Sequence, residues 1–283
     1  MTVGELFENG KEILKKAEID NYSNEARWIF ENSFSCQRQF LFLNHDKEAD
    51  GEKAADFLGK ISLRASGTPV QYVIGEWDFF SETFAVGEGV LIPRPETELL
   101  VEFALKYLKS KENPVVFDLC AGSGCVGLSV AKNVPSSRVY LIEKSRDAFA
   151  FLEENKKRLG CGNAELISGD IFSGLEAFGL PSPDLILSNP PYIESADIKA
   201  LQSEVLKEPL MALDGGEDGL MFYRAIAEKW LPFCSGAVAV ECGENQSDDI
   251  KNIFSEYCFN LKSVCDFNSI ERIVCGEISK ERK

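Results

Sequence analysis

Four consecutive residues, Asn189-Pro190-Pro191-Tyr192, combine groups that could hold a planar nitrogen. Asn189 carries a side-chain carbonyl that accepts hydrogen bonds from N–H groups. Pro190 has a backbone carbonyl but no N–H, and the ring of Pro191 holds that carbonyl in an extended conformation. Tyr192 adds a flat ring that can lie against a planar group. Two fixed acceptors beside a ring suit a guest with a planar NH2 group, such as an amide or the exocyclic amine of a nucleobase.

Nitrogen atoms of this kind are poor nucleophiles because their lone pair is delocalised. Holding both N–H bonds and directing the lone pair is what methyl transfer to such a nitrogen would need. The same four residues could instead form a proline-stiffened loop with no chemical role. The preceding residues, 183–188, form a short apolar run bounded by turn formers, which is typical of a buried strand. We therefore expect Asn189 at the carboxyl end of a strand, where ligands bind in open α/β sheets.

A second pattern, formed by Gly122, Gly124 and Gly127, matches the dinucleotide-binding fingerprint G-x-G-x-x-G, and Glu143 follows at about the expected distance. A nicotinamide- or flavin-dependent dehydrogenase is therefore a competing interpretation. Asp118 argues against it, because a carboxylate four residues before the first glycine would face a pyrophosphate at close range. That charge instead favours a cationic ligand end, such as the ammonium of a methionine moiety.

The ligand that fits all of these parts best is S-adenosylmethionine, with S-adenosylhomocysteine as its product. We predict that the glycine turn holds the amino-acid end of the ligand and that Glu143 accepts hydrogen bonds from both ribose hydroxyls. Asp170 follows a predicted third strand and could accept a hydrogen bond from the adenine amine. Carboxylates near the ligand also suit its sulfonium cation.

Composition and charge exclude several other classes of protein. The chain has 283 residues and a formal net charge of -16, which disfavours sequence-independent nucleic-acid binding. Its nine cysteines are scattered and odd in number and form no Cys-x-x-Cys pair, which argues against a disulfide framework or a metal site. Because His45 is the only histidine in the sequence, acid–base catalysis by histidine is not favoured. We see no signal peptide and no apolar run near the roughly 18 residues of a membrane span, so we expect a cytoplasmic protein with no membrane contact.

The remaining chain supplies the elements that must position these residues. Residues 1 to about 75 have helical spacing, and residues 70–74, 77–80 and 83–86 are rich in β-branched and aromatic residues, which predicts a hairpin. Thr97 is a candidate cap for a helix over 98–108. From Val115 onward strands alternate with helices, which predicts a parallel α/β sheet. The predicted strands cover residues 115–117, 138–142, 165–167, 183–188, 236–240, 261–265 and 272–275.

Three segments together resemble the HemK/PrmC family of protein-(glutamine-N5) methyltransferases. They are Leu-Ile-Pro-Arg-Pro-Glu-Thr-Glu at 91–98, Asp-Leu-Cys-Ala-Gly-Ser-Gly at 118–124, and Asn-Pro-Pro-Tyr at 189–192. The last motif is shared with many methyltransferases that act on amino nitrogens, so the first one singles out the family. Cys120 and Ala121 stand where Gly and Thr are common, and Glu143 stands where Asp is commoner.

The resemblance implies a Rossmann-like seven-stranded class I S-adenosylmethionine methyltransferase domain with a small helical N-terminal domain. The implied boundaries are a helical substrate-docking domain at 1–74, a β-hairpin linker at 75–95 and a methyltransferase domain at 96–283. The implied catalytic residues are Asn189, Pro190 and Tyr192, which bind the substrate together with Pro191. The implied cofactor-binding residues are Asp118, Cys120, Ala121, Gly122, Ser123, Gly124, Glu143, Asp170, Ile171 and Asn189.

The resemblance also implies a substrate, the glutamine of the Gly-Gly-Gln loop in class I peptide chain release factors. We expect a monomer that makes no direct contact with nucleic acid. Three other functions stay open from the residues alone. They are an amino-methyltransferase acting on RNA or DNA bases, a nicotinamide-dependent oxidoreductase and a binding module without catalysis.

Overall fold

The computed structural model describes residues 1–279, which divide into two compact units. The first unit contains residues 1–76 together with residues 202–207. Its helices are α1 (Val3–Lys16), α2 (Tyr22–Phe34), α3 (Gln39–Leu43), α4 (Gly51–Ala65) and α5 (Val70–Ile74). The predicted helical character of this region is therefore confirmed.

Two helices of the first unit, α1 and α4, start at side-chain caps. Thr2 and Glu5 form a reciprocal capping box at the start of α1, and the Asp50 side chain caps α4. At Gly10, an added Cβ would lie 2.5 Å from the ring of Phe57, so a glycine lets α1 approach α4 closely. The core between the helices contains Leu6, Leu14, Ala26, Ile29, Phe30, Phe57 and Ile61, all nearly or fully buried.

A buried arginine ties residues 202–207 to this unit. Arg64 on α4 is only 1% exposed and forms ion pairs with Glu25 and Glu204. A buried charge is costly unless it is paired and hydrogen-bonded, and here two carboxylates provide the pairing. The segment that carries Glu204 is thus held by a specific charged contact.

One predicted strand of the hairpin region is wrong, because Val70–Ile74 forms helix α5. Pro69 precedes its first turn and Gly75 ends it in the left-handed conformation, with a φ of 84°. Val70 and Val73 are three residues apart and both are buried in the helical core. The strand preference of β-branched residues depends on their packing environment. Here the three-residue spacing lets both valines pack into the helical core, so the segment forms a helix.

The second unit contains residues 77–201 and the chain from 208 onward. A two-stranded hairpin comprises β1 (Glu76–Phe79) and β2 (Glu82–Ala85). The large sheet comprises β3 (Val115–Leu119), β4 (Arg138–Glu143), β5 (Ala164–Ser168), β6 (Leu185–Ser188), β7 (Ala237–Glu241), β8 (Cys258–Cys265) and β9 (Glu271–Ile278). Its helices are α6 (Glu98–Leu108), α7 (Cys125–Asn133), α8 (Arg146–Leu159), α9 (Met221–Lys229) and α10 (Ser247–Phe254).

The large sheet has the strand order β5-β4-β3-β6-β7-β9-β8, with β9 antiparallel to both of its neighbours. The chain leaves β3 toward one side of the sheet and returns at β6 on the other side. This reversal creates a crevice at the carboxyl ends of β3 and β6, which is where α/β sheets bind ligands. Leu119, the last residue of β3, is the register partner of Ser188, the last residue of β6. The predicted fold class, a seven-stranded Rossmann-like methyltransferase domain, is confirmed.

The central strands are buried on both faces, because helices cover each side of the sheet. Side chains alternate between the two faces, as Val116 and Phe117 do on β3. Leu100 of α6 and Leu152 of α8 belong to one core layer, whereas Ile226 of α9 belongs to the other. Because the apolar core fixes the strands, the loops at their carboxyl ends are held in defined positions.

A buried asparagine joins the hairpin to the glycine turn. Asn155 on α8 is fully buried, and its NH2 group donates to the carbonyls of Ala85, at 3.1 Å, and Ser123, at 2.9 Å. Its side-chain oxygen accepts a hydrogen bond from the Ala85 N–H at 2.6 Å. One side chain therefore satisfies three backbone groups in two segments that are distant in sequence.

Replacing Asn155 with leucine should destabilise the fold, because three backbone groups would lose their partner. We expect the free energy of unfolding to fall by at least about 2 kcal/mol, since each unpaired buried group costs about 1–3 kcal/mol. Urea denaturation followed by circular dichroism measures the change. The matched control is Asn252→Leu at an exposed position of α10, which should alter stability by no more than about 0.5 kcal/mol. Equal stability of the two variants would contradict this role for Asn155.

Candidate active site

A cavity opens at the carboxyl ends of β3, β4 and β6, entirely within the second unit. The empty space, counted out to its open mouth, is about 990 Å³. Of the predicted site residues it is lined by Asp118, Cys120, Ala121, Gly122, Ser123, Glu143, Asp170, Ile171, Asn189 and Pro191. Among the described residues, Gly124, Pro190 and Tyr192 are not in its wall. The structure thus brings the glycine turn and the start of the 189–192 loop into one cavity.

The glycine turn between β3 and α7 contains three residues with left-handed backbone. The φ values are 61° at Cys120, 56° at Gly122 and 82° at Gly124. A Cβ at Gly122 would meet no atom within 4 Å, whereas a Cβ at Gly124 would clash with Leu152 at 2.3 Å. Gly122 therefore leaves room beside the backbone, and Gly124 is needed for packing. The left-handed φ of Cys120 also explains why a glycine suits that position better than a side chain.

Asp118 stabilises the start of α7, the helix that follows the glycine turn. It is 1% exposed, and its Oδ2 accepts a hydrogen bond from the Gly127 N–H at 2.7 Å. Burial raises the pKa of the Asp118 carboxyl to about 7, against the lowering effect of that hydrogen bond, and the nearby Glu143 charge raises it further. Asp118 therefore holds the first turn of α7, a structural contribution that its sequence context did not indicate.

Glu143, the last residue of β4, also binds the backbone of the glycine turn. Its Oε2 accepts a hydrogen bond from the Gly122 N–H at 2.8 Å, and its Oε1 accepts one from the Ser145 N–H at 2.6 Å. Burial raises the pKa of the Glu143 carboxyl, although the backbone N–H bonds act in the opposite direction. Each carboxylate oxygen can accept two hydrogen bonds, so the carboxylate retains capacity for a ligand in the cavity.

Asp170 lies in the cavity wall and already has two partners. Its Oδ1 accepts a hydrogen bond from the Phe172 N–H at 3.0 Å, and its Oδ2 pairs with the Lys144 ammonium at 2.8 Å. Partial burial opposes ionisation, but Lys144 and the Phe172 N–H lower the pKa of Asp170. Lys144 also lines the cavity, and its position directly after Glu143 was the only sequence signal that could have indicated it.

The loop that begins at Asn189 is held at both ends. The Ser188 hydroxyl donates to the Leu119 carbonyl at 2.6 Å, which joins the ends of β6 and β3. The Gln246 side chain donates to the Tyr192 carbonyl at 2.9 Å and accepts a hydrogen bond from the Gly243 N–H. The Tyr192 ring packs against the core beside α9, and burial raises the pKa of its hydroxyl. Sequence reasoning missed Gln246, because its partner lies 54 residues away.

The Asn189 side chain is anchored through its NH2 group. Nδ2 donates to the Thr97 hydroxyl at 3.1 Å, and that hydroxyl donates to Oε2 of Glu241 at 2.6 Å. Thr97 is 1% exposed and Glu241 is 3% exposed. Burial raises the pKa of the Glu241 carboxyl to about 7, whereas the Thr97 hydrogen bond lowers it. Glu241, the last residue of β7, was not among the predicted site residues.

The predicted cap of α6 by Thr97 is wrong in its chemistry. The helix does begin at Glu98, as predicted, but the Thr97 side chain makes no capping hydrogen bond. The reason is that Thr97 has helical backbone, with a φ of -65° and a ψ of -20°, whereas a capping residue usually has extended backbone. The hydroxyl instead donates to Glu241 and accepts a hydrogen bond from Asn189.

The loop before Thr97 is fixed by a second buried carboxylate. Glu208 is 6% exposed, accepts a hydrogen bond from the Ile92 N–H at 3.0 Å and forms an ion pair with Arg94. Ile92 and Arg94 line the cavity. Glu208 therefore fixes Ile92 and Arg94 in the cavity wall.

Residues 1–279 contain neither a metal-binding cluster nor a membrane-spanning helix. No group of three or more histidine, cysteine, aspartate or glutamate side chains is arranged to hold a metal ion there. Within the same residues, none of the helices has the length and apolarity required to cross a membrane.

Comparison with known proteins agrees with this architecture. The family model for the PrmC N-terminal domain matches residues 5–75, and the model for the methyltransferase small domain matches residues 96–223. The hMettl16 catalytic domain in complex with MAT2A 3′UTR hairpin 6 has a similar structure, with a TM-score of 0.57, 12% identity and coverage of 82% of this chain and 83% of that one. At this identity the likeness concerns the fold alone. The fold and the matched models define a Rossmann-like class I methyltransferase.

Full-length relatives specify the family. The release factor glutamine methyltransferase of Geobacter sulfurreducens is 36% identical over 284 residues, covering 98% of this chain and 97% of the relative. That of Thermodesulfovibrio yellowstonii is 40% identical over 240 residues, covering 82% and 85%. The chain belongs to the family of release factor glutamine methyltransferases, which confirms the family predicted from the sequence.

The raised pKa values of Asp118 and Glu241 predict how stability depends on pH. Both carboxyls hold their protons more tightly in the folded chain than in the unfolded chain, so they favour folding most at pH below their ordinary pKa. This contribution is lost as pH rises through about 7. At about 1.4 kcal/mol per pKa unit, the loss is on the order of 3 kcal/mol for each group. Chemical denaturation between pH 5 and 8 should show a shallower decline in Glu241→Gln than in the wild type, and identical slopes would contradict the assignment.

Proposed function

We propose that the protein transfers a methyl group from S-adenosylmethionine to the side-chain amide nitrogen, N5, of the glutamine in the Gly-Gly-Gln loop of class I peptide chain release factors. The observation that carries this proposal is the shared cavity of the glycine turn and Asn189, in which the Asn189 NH2 group is bound to Thr97. With the NH2 group so engaged, the side-chain oxygen of Asn189 is available as an acceptor. The names of the full-length relatives support the same substrate.

The residues around the glycine turn suit S-adenosylmethionine. The open space beside Gly122 gives a ligand access to the backbone, and the buried Glu143 carboxylate next to it offers acceptors for ribose hydroxyls. We assign cofactor contacts to Asp118, Cys120, Ala121, Gly122, Ser123, Gly124, Glu143, Asp170, Ile171 and Asn189. When bound, this cofactor supplies a methyl group activated by a sulfonium. The carboxylates of the cavity wall complement that positive charge.

The 189–192 loop would hold the substrate amide. Asn189 Oδ1 and the Pro190 carbonyl accept the two N–H bonds, so the nitrogen lone pair is directed at the methyl donor. Pro191 keeps the Pro190 carbonyl extended, and Tyr192 completes the loop. Good alignment of two reactants is worth about 7–11 kcal/mol, so no strong base is required if the proton leaves after the methyl group arrives.

The ionisable side chains of the cavity support transfer by positioning rather than through a covalent intermediate. Burial keeps the Cys120 and Cys125 thiols neutral, because it raises the pKa of the first and brings that of the second to about 12. Neutral thiols are weak nucleophiles. The cavity therefore offers acceptors and an apolar wall, which suits orientation of a weakly nucleophilic amide.

The remaining assignments belong to the same proposal. We assign substrate docking to the helical region 1–74, a linker role to 75–95 and catalysis to 96–283. We expect a cytoplasmic monomer that acts on the release factor without direct contact with nucleic acid. The net charge of -16 is consistent with a protein rather than a nucleic acid as substrate.

Isotope transfer tests the proposal against its alternatives. Purified protein is incubated with methyl-labelled cofactor and, in separate reactions, with release factors, RNA and DNA, and the products are mapped by mass spectrometry. We expect one methyl group on the glutamine of the Gly-Gly-Gln loop. Label in nucleic acid would instead identify a nucleobase methyltransferase. No transfer, combined with a cofactor-dependent change in nicotinamide absorbance, would identify an oxidoreductase.

Replacing Asn189 with alanine should remove one of the two acceptors that orient the substrate amide. We expect kcat to fall by about 100-fold or more, since misplacement of reacting groups by about 1 Å already has an effect of that size. Calorimetry should show that the variant still binds the cofactor, because the other nine assigned cofactor contacts remain. Asn252→Ala on the exposed face of α10 is the control. Turnover like that of the wild type in Asn189→Ala would refute the role of Asn189.

Replacing Glu143 with alanine should weaken cofactor binding, because it removes the ribose acceptor and releases the Gly122 N–H. We expect the dissociation constant to rise by at least about tenfold, in line with the loss of a charge-assisted hydrogen bond worth about 1.5–3 kcal/mol. Isothermal titration calorimetry measures it, and Glu256→Ala at an exposed position is the control. An unchanged dissociation constant would count against this map of the cofactor site.

A further inference from the structure

We infer that Thr97 and Glu241 are positioning residues that determine which end of the Asn189 amide faces the cavity. The inference rests on the proposed function, because it concerns the acceptor that would hold the substrate amide. Neither residue needs to touch the substrate or the cofactor. Both act through Asn189, by way of the two buried hydrogen bonds that connect the three side chains.

The direction of these hydrogen bonds follows from the chemistry of each group. An ionised carboxylate only accepts hydrogen bonds, so the Thr97 hydroxyl must give its single proton to Glu241. The hydroxyl oxygen is then left with lone pairs alone, and it can only accept from Asn189. Asn189 must therefore turn its NH2 group toward Thr97 and its carbonyl oxygen away from it.

This direction matters because the two ends of an amide have nearly the same shape. Packing alone hardly distinguishes the oxygen of an asparagine from its NH2 group, so the hydrogen-bond partner decides the orientation. If the Asn189 amide were reversed, it would present N–H groups to the N–H groups of the substrate amide. Two donors that face each other cannot form a hydrogen bond, and the substrate would lose one of its acceptors.

The burial of Thr97 and Glu241 strengthens the preference for one orientation of the Asn189 amide. Thr97 and Glu241 are 1% and 3% exposed, so water has little access to replace either hydrogen bond. The bond from Thr97 to Glu241 is 2.6 Å long, as expected for a hydroxyl that donates to a carboxylate. An unpaired donor or acceptor at this depth would cost more than the bond itself contributes.

The charged and titratable groups around Glu241 act on it in both directions. Glu96 disfavours its ionisation, whereas Arg94 and Arg272 favour it. Tyr192, Tyr223, Cys125 and Cys242 also surround it with neutral hydroxyls and thiols, because burial raises the pKa of each. The net effect of burial and these neighbours is a pKa of about 7 for Glu241.

The protonation state of Glu241 can therefore change the orientation of Asn189. Once protonated, Glu241 can donate to the Thr97 oxygen, and the Thr97 proton is then able to point at Asn189. A protonated Glu241 therefore allows Asn189 to turn either its NH2 group or its carbonyl oxygen toward Thr97. Turnover should accordingly fall as pH decreases through about 7, while the wild-type chain becomes more stable over the same range.

Threonine variants test the positioning role. Thr97→Val has nearly the same shape but no hydroxyl, and we expect kcat to fall by at least about tenfold, as the loss of one hydrogen bond of about 1.4 kcal/mol would cause. Thr97→Ser keeps the hydroxyl and should retain kcat within about threefold. Calorimetry should show that both variants still bind the cofactor, because the nine assigned cofactor contacts other than Asn189 are unaltered. The matched control is Thr83→Val, which removes a similar hydroxyl-to-carboxylate bond, from Thr83 to Asp78 at 2.7 Å, on the exposed hairpin.

Glu241→Gln tests the coupling to pH. Glutamine cannot ionise, and it can either donate to Thr97 or accept from it, so it allows both orientations of Asn189 at every pH. We expect a reduced kcat with no acid limb near pH 7, whereas the wild type and the control Asp78→Asn should both show that limb. A role confined to stability would lower the unfolding midpoint and leave the limb in place.

A spectroscopic readout separates this inference from the proposed function. The side-chain NH2 signals of Asn189 in a ¹H–¹⁵N spectrum, assigned by their loss in Asn189→Ala, should titrate near pH 7 in the wild type and not in Glu241→Gln. This measurement needs no substrate, so it holds even if release factors prove not to be methylated. The inference is overturned if Thr97→Val turns over like the wild type, if Thr97→Ser loses as much activity as Thr97→Val, or if Glu241→Gln keeps the titration.

Discussion

The parallel pairing of β3 with β6 is the constraint on which the site depends. The register places Leu119 beside Ser188, and the Ser188 hydroxyl binds the Leu119 carbonyl at 2.6 Å. The residues that follow these two strands, the glycine turn and Asn189, therefore emerge next to each other. Since β3 and β6 are buried in the middle of a seven-stranded sheet, displacing either one would expose much of the core. The buried centre of the sheet thus sets the distance between the proposed cofactor and substrate groups.

Buried carboxylates complete the site at a cost in stability. Asp118 binds the first turn of α7, Glu143 closes the glycine turn, and Glu241 binds the hydroxyl that holds Asn189. Burial raises the pKa of each of these groups, which means that their ionised forms are disfavoured in the fold. In return, each one fixes a backbone or side-chain group with a definite direction. The arrangement is expected for a methyltransferase that relies on alignment rather than on a reactive side chain.

Local sequence patterns predicted the fold well because strands and turns have local causes. Apolar runs between turn formers located the strands, and the glycine spacing located the turn at 120–124. The helix α5 was missed because two valines with strand preference were placed by tertiary packing. The role of Thr97 was missed for a different reason. Its partners Asn189 and Glu241 lie 92 and 144 residues away, and no local pattern reports a hydrogen bond across that separation.

The central claim is that two oxygen atoms, one from Asn189 and one from Pro190, hold the amide nitrogen of a glutamine. The most direct measurement is a crystal structure of the protein with S-adenosylhomocysteine and a peptide that contains Gly-Gly-Gln. We expect both oxygen atoms to lie within about 3.2 Å of the glutamine amide nitrogen. We also expect this nitrogen to face the sulfur of the bound product. A glutamine amide bound elsewhere, or an Asn189 that directs its NH2 group at the substrate, would contradict it.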